Sequence, residues 1–168
     1  MPTFASGIRR DDPPLRRARA RGGAGGFDLT CPPFLLRLMS ARRFVRPRWL
    51  GPEAEEGIKL ANALRAATLE GRASGAWCHV PNEGQLSKTV RAVLAASGLI
   101  PGSPDYWFTG ERGGVIELKR PGSTPSALSP SQRDFRDWCA HTDTRWAMCS
   151  SADAALATLV EWGWLRPG

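Results

Sequence analysis

Apolar positions along the chain change their spacing several times, and each change marks an element. From Gly51-Pro52-Glu53, the residues Ile58, Leu60, Ala61, Leu64 and Ala67 recur at helical spacing as far as Gly71. Pro52 near the first helical position, with Glu53, Glu55 and Glu56 in the first turn, marks that helix's start. Ala76-Trp77-Cys78-His79-Val80 is short, apolar and bounded by Gly75 and Pro81, the pattern of a strand. A second helix is predicted from about Gln85 to Ser97, with Leu86, Thr89, Val90, Val93 and Leu94 facing inward. Tyr106-Trp107-Phe108 and Val115-Ile116-Glu117-Leu118 predict two strands, joined through Thr109-Gly110-Glu111-Arg112 as an antiparallel hairpin. Ser129-Pro130-Ser131-Gln132 has capping-box spacing and opens a helix whose inner stripe is Phe135, Trp138 and Cys139. Arg145 to Cys149 predicts another strand. Ser150 or Ser151 then caps a last helix with Ala155, Leu156, Leu159 and Val160 inward, ending at Gly163. The order is helix, strand, helix, strand, strand, helix, strand, helix. It agrees with an α/β (α+β) class, a mixed sheet flanked by helices.

This regular patterning begins only near residue 51. Residues 1–50 are rich in Arg, Pro and Gly, and the first 26 have almost no apolar periodicity, so they are expected to be a disordered basic tail to a domain at 51–168. Phe34 to Met39 suits a short helical turn with no obvious packing partner. Met39 is itself a candidate start, since a chain begun there keeps the whole patterned region. Residues 1–38 are accordingly a candidate over-extended translation start, and an intact mass beginning at Met1 would exclude that.

Charge divides the chain at the same place. The net charge is +7, yet residues 1–50 hold 11 arginines against three aspartates, a balance of +8. The rest carries 12 basic and 13 acidic residues, a balance of −1. Such a basic arm suits contact with phosphates without base reading, and equally a solvated tail. Cys31, Cys78, Cys139 and Cys149 show no Cys-x-x-Cys spacing and no paired histidines, so buried, reduced thiols are expected instead of a zinc site. No stretch approaches the ~20 apolar residues of a membrane span and there is no signal-peptide core, so a soluble cytoplasmic protein is expected, with no membrane partner.

The hairpin carries the chemistry. Glu117 and Lys119 are two residues apart and leave the same face of their strand. With the turn centred near Glu111, Asp105 falls roughly opposite Leu118, within one residue of both. Carboxylates held that close repel unless a cation lies between them, and hard oxygens with an open side suit magnesium or manganese. That is the chemistry of phosphodiester hydrolysis. As alternatives, Asp105 caps a turn and Glu117 with Lys119 is an exposed strand pair. In the same reading Glu53, Glu55 and Glu56 complement the helix dipole. His79 reads as a strand residue with a satisfied ring, and Asn82 either shapes a turn or contacts nucleic acid.

Pro104-Asp105, a spacer and then Glu117-Leu118-Lys119 resembles the signature of the PD-(D/E)XK nuclease superfamily. His79-Val80-Pro81-Asn82-Glu83-Gly84, Gly98, Pro101-Gly102-Ser103-Pro104-Asp105, Ile116 to Arg120 and Leu128-Ser129-Pro130-Ser131-Gln132 together resemble the virus-type replication-repair nuclease domain, VRR-NUC, over roughly residues 53–165. Where that family commonly has a basic residue this chain has Leu86, and where it commonly has a lysine this chain has Ala95. The resemblance implies a restriction-endonuclease-like core and Mg²⁺-dependent cleavage of DNA, with Mn²⁺ as a substitute. It implies Asp105, Glu117 and the Leu118 carbonyl as metal ligands and an acid near the start of the first helix, Glu53 or Glu56, reaching the site. Lys119 is expected to stabilise the transition state. Gln132 is expected to point at the site, which competes with its capping role because one amide cannot fully serve both. Asn82, Lys88 and Arg120 are candidate nucleic-acid contacts. Stand-alone members resemble junction-resolving enzymes, so a homodimer cutting branched DNA is expected. The alternatives are a flap, nicking or restriction-like nuclease, or a DNA-binding module with an idle site.

Overall fold

The structure is a computed structural model and describes residues 33–40, 50–80 and 87–168. Cys31, Asn82, Leu86 and most of the basic tail lie outside the described residues. The elements are α1 (Pro33–Met39), α2 (Pro52–Leu69), β1 (Trp77–His79), α3 (Lys88–Ala96), β2 (Tyr106–Phe108), β3 (Gly114–Leu118), a 3-10 turn (Pro125–Ala127), α4 (Pro130–His141), β4 (Trp146–Cys149) and α5 (Ala152–Glu161). From α2 onward they follow the predicted order. The sheet is four-stranded in the order β1-β2-β3-β4, antiparallel between the first three strands and parallel between β3 and β4. The mixed sheet follows from chain length. Five residues from Thr109 to Gly113 return the chain as a hairpin, whereas β3 reaches β4 through α4, the kind of crossover a parallel neighbour needs.

Strand alternation sends successive side chains to opposite faces of this sheet. Tyr106, Phe108, Ile116 and Leu118 meet Leu60, Leu64 and Ala67 of α2 and Ala155 and Leu159 of α5 in the main core. Trp164 completes it, fully buried, its ring edge-on to Phe108 at 4.9 Å and its indole N–H donated to the Thr109 carbonyl at 2.9 Å. Val115 leaves the other face and packs on Phe135 and Cys139 of α4, with Trp146 half-buried beside them. Burial raises the Tyr106 phenol to about 12, the Asp105 charge adding to it, and its hydroxyl donates to the Gly57 carbonyl at 3.0 Å.

Several predicted inner positions are not inner. On α4, Phe135 and Cys139 are buried but Trp138 is 49% exposed. The helix covers only a narrow strip around Val115, and Trp138 falls on its flank. On α5, Ala152, Ala155 and Leu159 are buried while Val160 is exposed. α3, capped by the Ser87 hydroxyl on the Val90 N–H at 3.2 Å, keeps its apolar stripe exposed at Val90 and Val93. Its strong amphipathic pattern therefore has no large counterpart among the described elements. Cys139 and Cys149 are buried and burial raises both thiols, but Cys78 is exposed on β1, against the expectation of buried thiols. No described helix is long and apolar enough to cross a membrane.

Candidate active site

Three segments deliver the candidate residues to one place. Pro101-Gly102 turns the chain sharply, with the Ser103 N–H donated to the Ile100 carbonyl at 3.1 Å and Gly102 at φ +81°. That is the sequence and backbone sign of a type II turn. A Cβ on Gly102 would collide with the Ser131 carbonyl and the Gln132 backbone nitrogen, so the turn lies tight against the first turn of α4. The Pro-Gly spelling betrays the turn in the sequence, whereas its contact with α4 leaves no sequence signal. Buried Ser103 donates its hydroxyl back to the Ile100 carbonyl at 2.6 Å, and Pro104 then brings Asp105 to the start of β2.

The β2–β3 register pairs Tyr106 with Ile116, and one further step sets Asp105 against Glu117. The expected partner, Leu118, is therefore one residue out, and the difference favours the site. Directly opposed residues share a face, so both carboxylates leave the sheet on the α4 side. Asp105 still touches Leu118 through the backbone, its Oδ2 accepting the Leu118 N–H at 2.8 Å where the strand ladder ends. Glu117 is 1% exposed, and Asp105 and Lys119 are each 8% exposed. Lys119 Nζ stands 2.7 Å from Glu117 Oε1.

Gln132 reaches both of the places expected of it. Its Oε1 accepts the Ser129 N–H at 2.9 Å while its own backbone N–H donates to the Ser129 hydroxyl at 3.2 Å, a complete capping box. Its Nε2 donates to Glu117 Oε1. The expected competition fails because a carboxamide has an accepting end and a donating end. Helix cap and site are thus one hydrogen-bonded unit.

Glu53 and Glu56 are placed elsewhere. α2 lies across the opposite face of the sheet, and both acids meet backbone at the strand ends from that side. Glu53 Oε2 accepts the Arg120 N–H at 3.0 Å. Glu56 Oε2 accepts the Ala152 N–H at 2.7 Å, and its Oε1 holds Lys59 Nζ at 2.5 Å. The Lys59 hydrogen bond first, and the Ala152 N–H second, hold the Glu56 carboxyl below the usual carboxylate range. Glu56 thereby satisfies an N-terminal amide of α5 and suits its dipole. Among the described residues, no group of three or more His, Cys, Asp or Glu side chains is arranged to hold a metal. Arg120 is exposed just past Lys119, Lys88 stands on the first turn of α3, and His79 packs its ring at 5.0 Å from Tyr106.

The donor set on the α4 side fits a hard divalent ion. Mg²⁺ is commonly bound by one or two carboxylates and completed by water and substrate phosphates. Asp105 and Glu117 supply two buried carboxylates, with the Lys119 ammonium against Glu117.

No protein-family model matches the sequence, and no curated protein does either. Among solved structures, the fold is similar to that of a VRR_NUC domain protein, with a TM-score of 0.50 at 16% identity over 70% of this chain and 90% of the other. At that identity the likeness is one of fold. The chain therefore has the VRR-NUC fold that its Pro-Asp and Glu-x-Lys segments resemble.

Proposed function

We propose that the chain is a divalent-metal-dependent deoxyribonuclease that hydrolyses phosphodiester bonds at Asp105, Glu117, Lys119 and Gln132. The reading is carried by one observation: Asp105 and Glu117, opposed across β2 and β3, share a face with Lys119 and with the Gln132 amide of α4. Asp105, Glu117 and the Leu118 carbonyl would hold Mg²⁺, or Mn²⁺ in its place. When bound, such an ion lowers the pKa of a water and neutralises charge on the phosphate. Lys119 sets its ammonium where charge grows on the phosphate oxygens, and Gln132 fixes the Glu117 carboxylate so that neither has to reorganise during reaction. The buried floor beneath them excludes bulk water from these contacts.

The arginines of residues 1–50 would supply the phosphate attraction that the rest of the chain, at −1, lacks. Arg120, exposed beside Lys119, is a further phosphate contact. The proposed substrate is branched or otherwise structured DNA, cut by a homodimer in the cytoplasm. The test incubates the chain with linear duplex, single-stranded, flapped and four-way DNA, each with Mg²⁺, Mn²⁺ or EDTA. Metal-dependent cleavage favouring a branched substrate is the expected result. Absence of cleavage of all four in either metal, with DNA still bound, would leave a binding module with an idle site.

A further inference from the structure

We propose that a cleft beside Trp107 seats an unpaired base of the substrate strand, one step along the sheet from the carboxylate pair. This rests on the nuclease reading and sharpens it to a substrate class. Trp107 alternates with Tyr106 and so leaves the same face as Asp105 and Glu117, about 7 Å farther along at ~3.3 Å per strand residue. Trp107 is 37% exposed, unusual for a tryptophan at the middle of a three-residue inner strand. The ring is also held in place. Its N–H donates to the Pro104 carbonyl at 3.2 Å, and Phe135 meets it edge-on at 6.1 Å.

A cleft of about 510 Å³ opens against this ring, walled by Val115, Glu111, Asp143, Thr144 and Arg145. Its size admits a base, and its charge selects one. Glu111 and Asp143 outnumber Arg145, so the cleft disfavours a phosphate and suits a neutral ring whose exocyclic amino group can donate to a carboxylate. An exposed, pre-oriented indole is the side chain on which any base can stack. A paired base cannot leave its stack to reach that ring without cost, so the cleft favours DNA with unpaired bases next to the cut. An aliphatic patch would fit a protein partner as well; a polar cleft floored by one indole does not.

The test measures binding with EDTA present, so that no cleavage is needed for the readout. The probes are a short single strand carrying 2-aminopurine and a blunt duplex of the same sequence, offered to the wild-type chain, Trp107→Leu and Trp107→Phe. The wild type is expected to quench the 2-aminopurine, Trp107→Leu to bind the single strand roughly 5- to 150-fold more weakly, and Trp107→Phe to recover most of that loss. Duplex affinity should be equal in all three, which also reports that the variants are folded. Equal single-strand binding by wild type and Trp107→Leu would overturn the inference, as would an equal loss on duplex, or a wild type that binds no single strand. It would also fall if sedimentation showed Trp107→Leu turning an associated wild type into monomers with stacking unchanged, because the face would then be an interface between copies. A wild type that stacks the base yet cleaves nothing in Mg²⁺ would sink the nuclease reading and keep the cleft.

Discussion

The two faces of one short hairpin have opposite characters. On the α2 and α5 side, Tyr106, Phe108, Ile116 and Leu118 enter a broad, closed apolar cluster. On the α4 side the same strands show Asp105, Trp107, Val115 and Glu117, and only Val115 has a full apolar setting. A strand of five residues thus alternates between holding the fold and holding charge. The lesson is that a polar site can be buried cheaply when the opposite face of its own backbone is anchored in a core. Buried acids then keep their geometry because the strand cannot move.

The comparison breaks first at the charged face. Glu117→Gln and Asp105→Asn should each abolish metal-dependent cleavage, and Lys119→Ala should lower it by about 10²–10³-fold with DNA binding nearly intact, as a gel assay of cleavage beside binding would report. A fully active Lys119→Ala would refute its assignment. The apolar face should answer in stability instead: Ile116→Ala, fully buried, should cost about 2–5 kcal/mol in denaturant unfolding. Val115→Ala, in the smaller cluster, should cost about 1–2 kcal/mol.

Alkaline titration sharpens the same contrast. The folded Tyr106 phenol is raised to about 12 from an ordinary value of 10.0, so its contribution is complete below pH 10 and is lost as pH rises towards 12. That loss should be about 2–3 kcal/mol in unfolding free energy, and Tyr106→Phe should not show it. At the acid end the sign reverses. Glu56 is held low by Lys59 and the Ala152 N–H, so its contribution is present above the ordinary carboxylate range and disappears as pH falls through its lowered value. Glu56→Gln should flatten that acid limb, followed by thermal melting across the acid range.

The smallest effect separates the two ends of the Gln132 amide. Gln132→Glu keeps an acceptor for the Ser129 N–H but puts a carboxylate where the amide donated to Glu117. Cleavage should fall about tenfold or more, and melting in EDTA should fall as well, because two carboxylates then face each other. Ser129→Ala should cost about 1 kcal/mol of stability with cleavage largely kept.

Much of this was legible in the chain. Element order survived because Gly and Pro punctuate it and because β2 and β3 spell their own hairpin. The shared face of Glu117 and Lys119 was legible because two-residue spacing along a strand fixes it whatever the rest of the fold does. What was missed depends on distant partners. The stripe on α3 looked like a core face, but periodicity cannot say whether anything covers it. Trp138 and Val160 failed for the same reason, lying at the edges of helix faces whose width is set by the partner. Trp164 was overlooked because it follows the last helix with no pattern of its own. The roles of Glu53 and Glu56 were hidden because their partners are backbone amides at Arg120 and Ala152, which no side-chain motif records.

The central claim is that Asp105 and Glu117 jointly hold a divalent ion on the α4 side of the sheet. Titrating Mn²⁺ into the wild-type chain, Asp105→Asn and Glu117→Gln, with free ion followed by electron paramagnetic resonance, tests it without any DNA. The account predicts that the wild type takes up the ion and that each variant binds it at least about tenfold more weakly. Equal uptake by all three would contradict it.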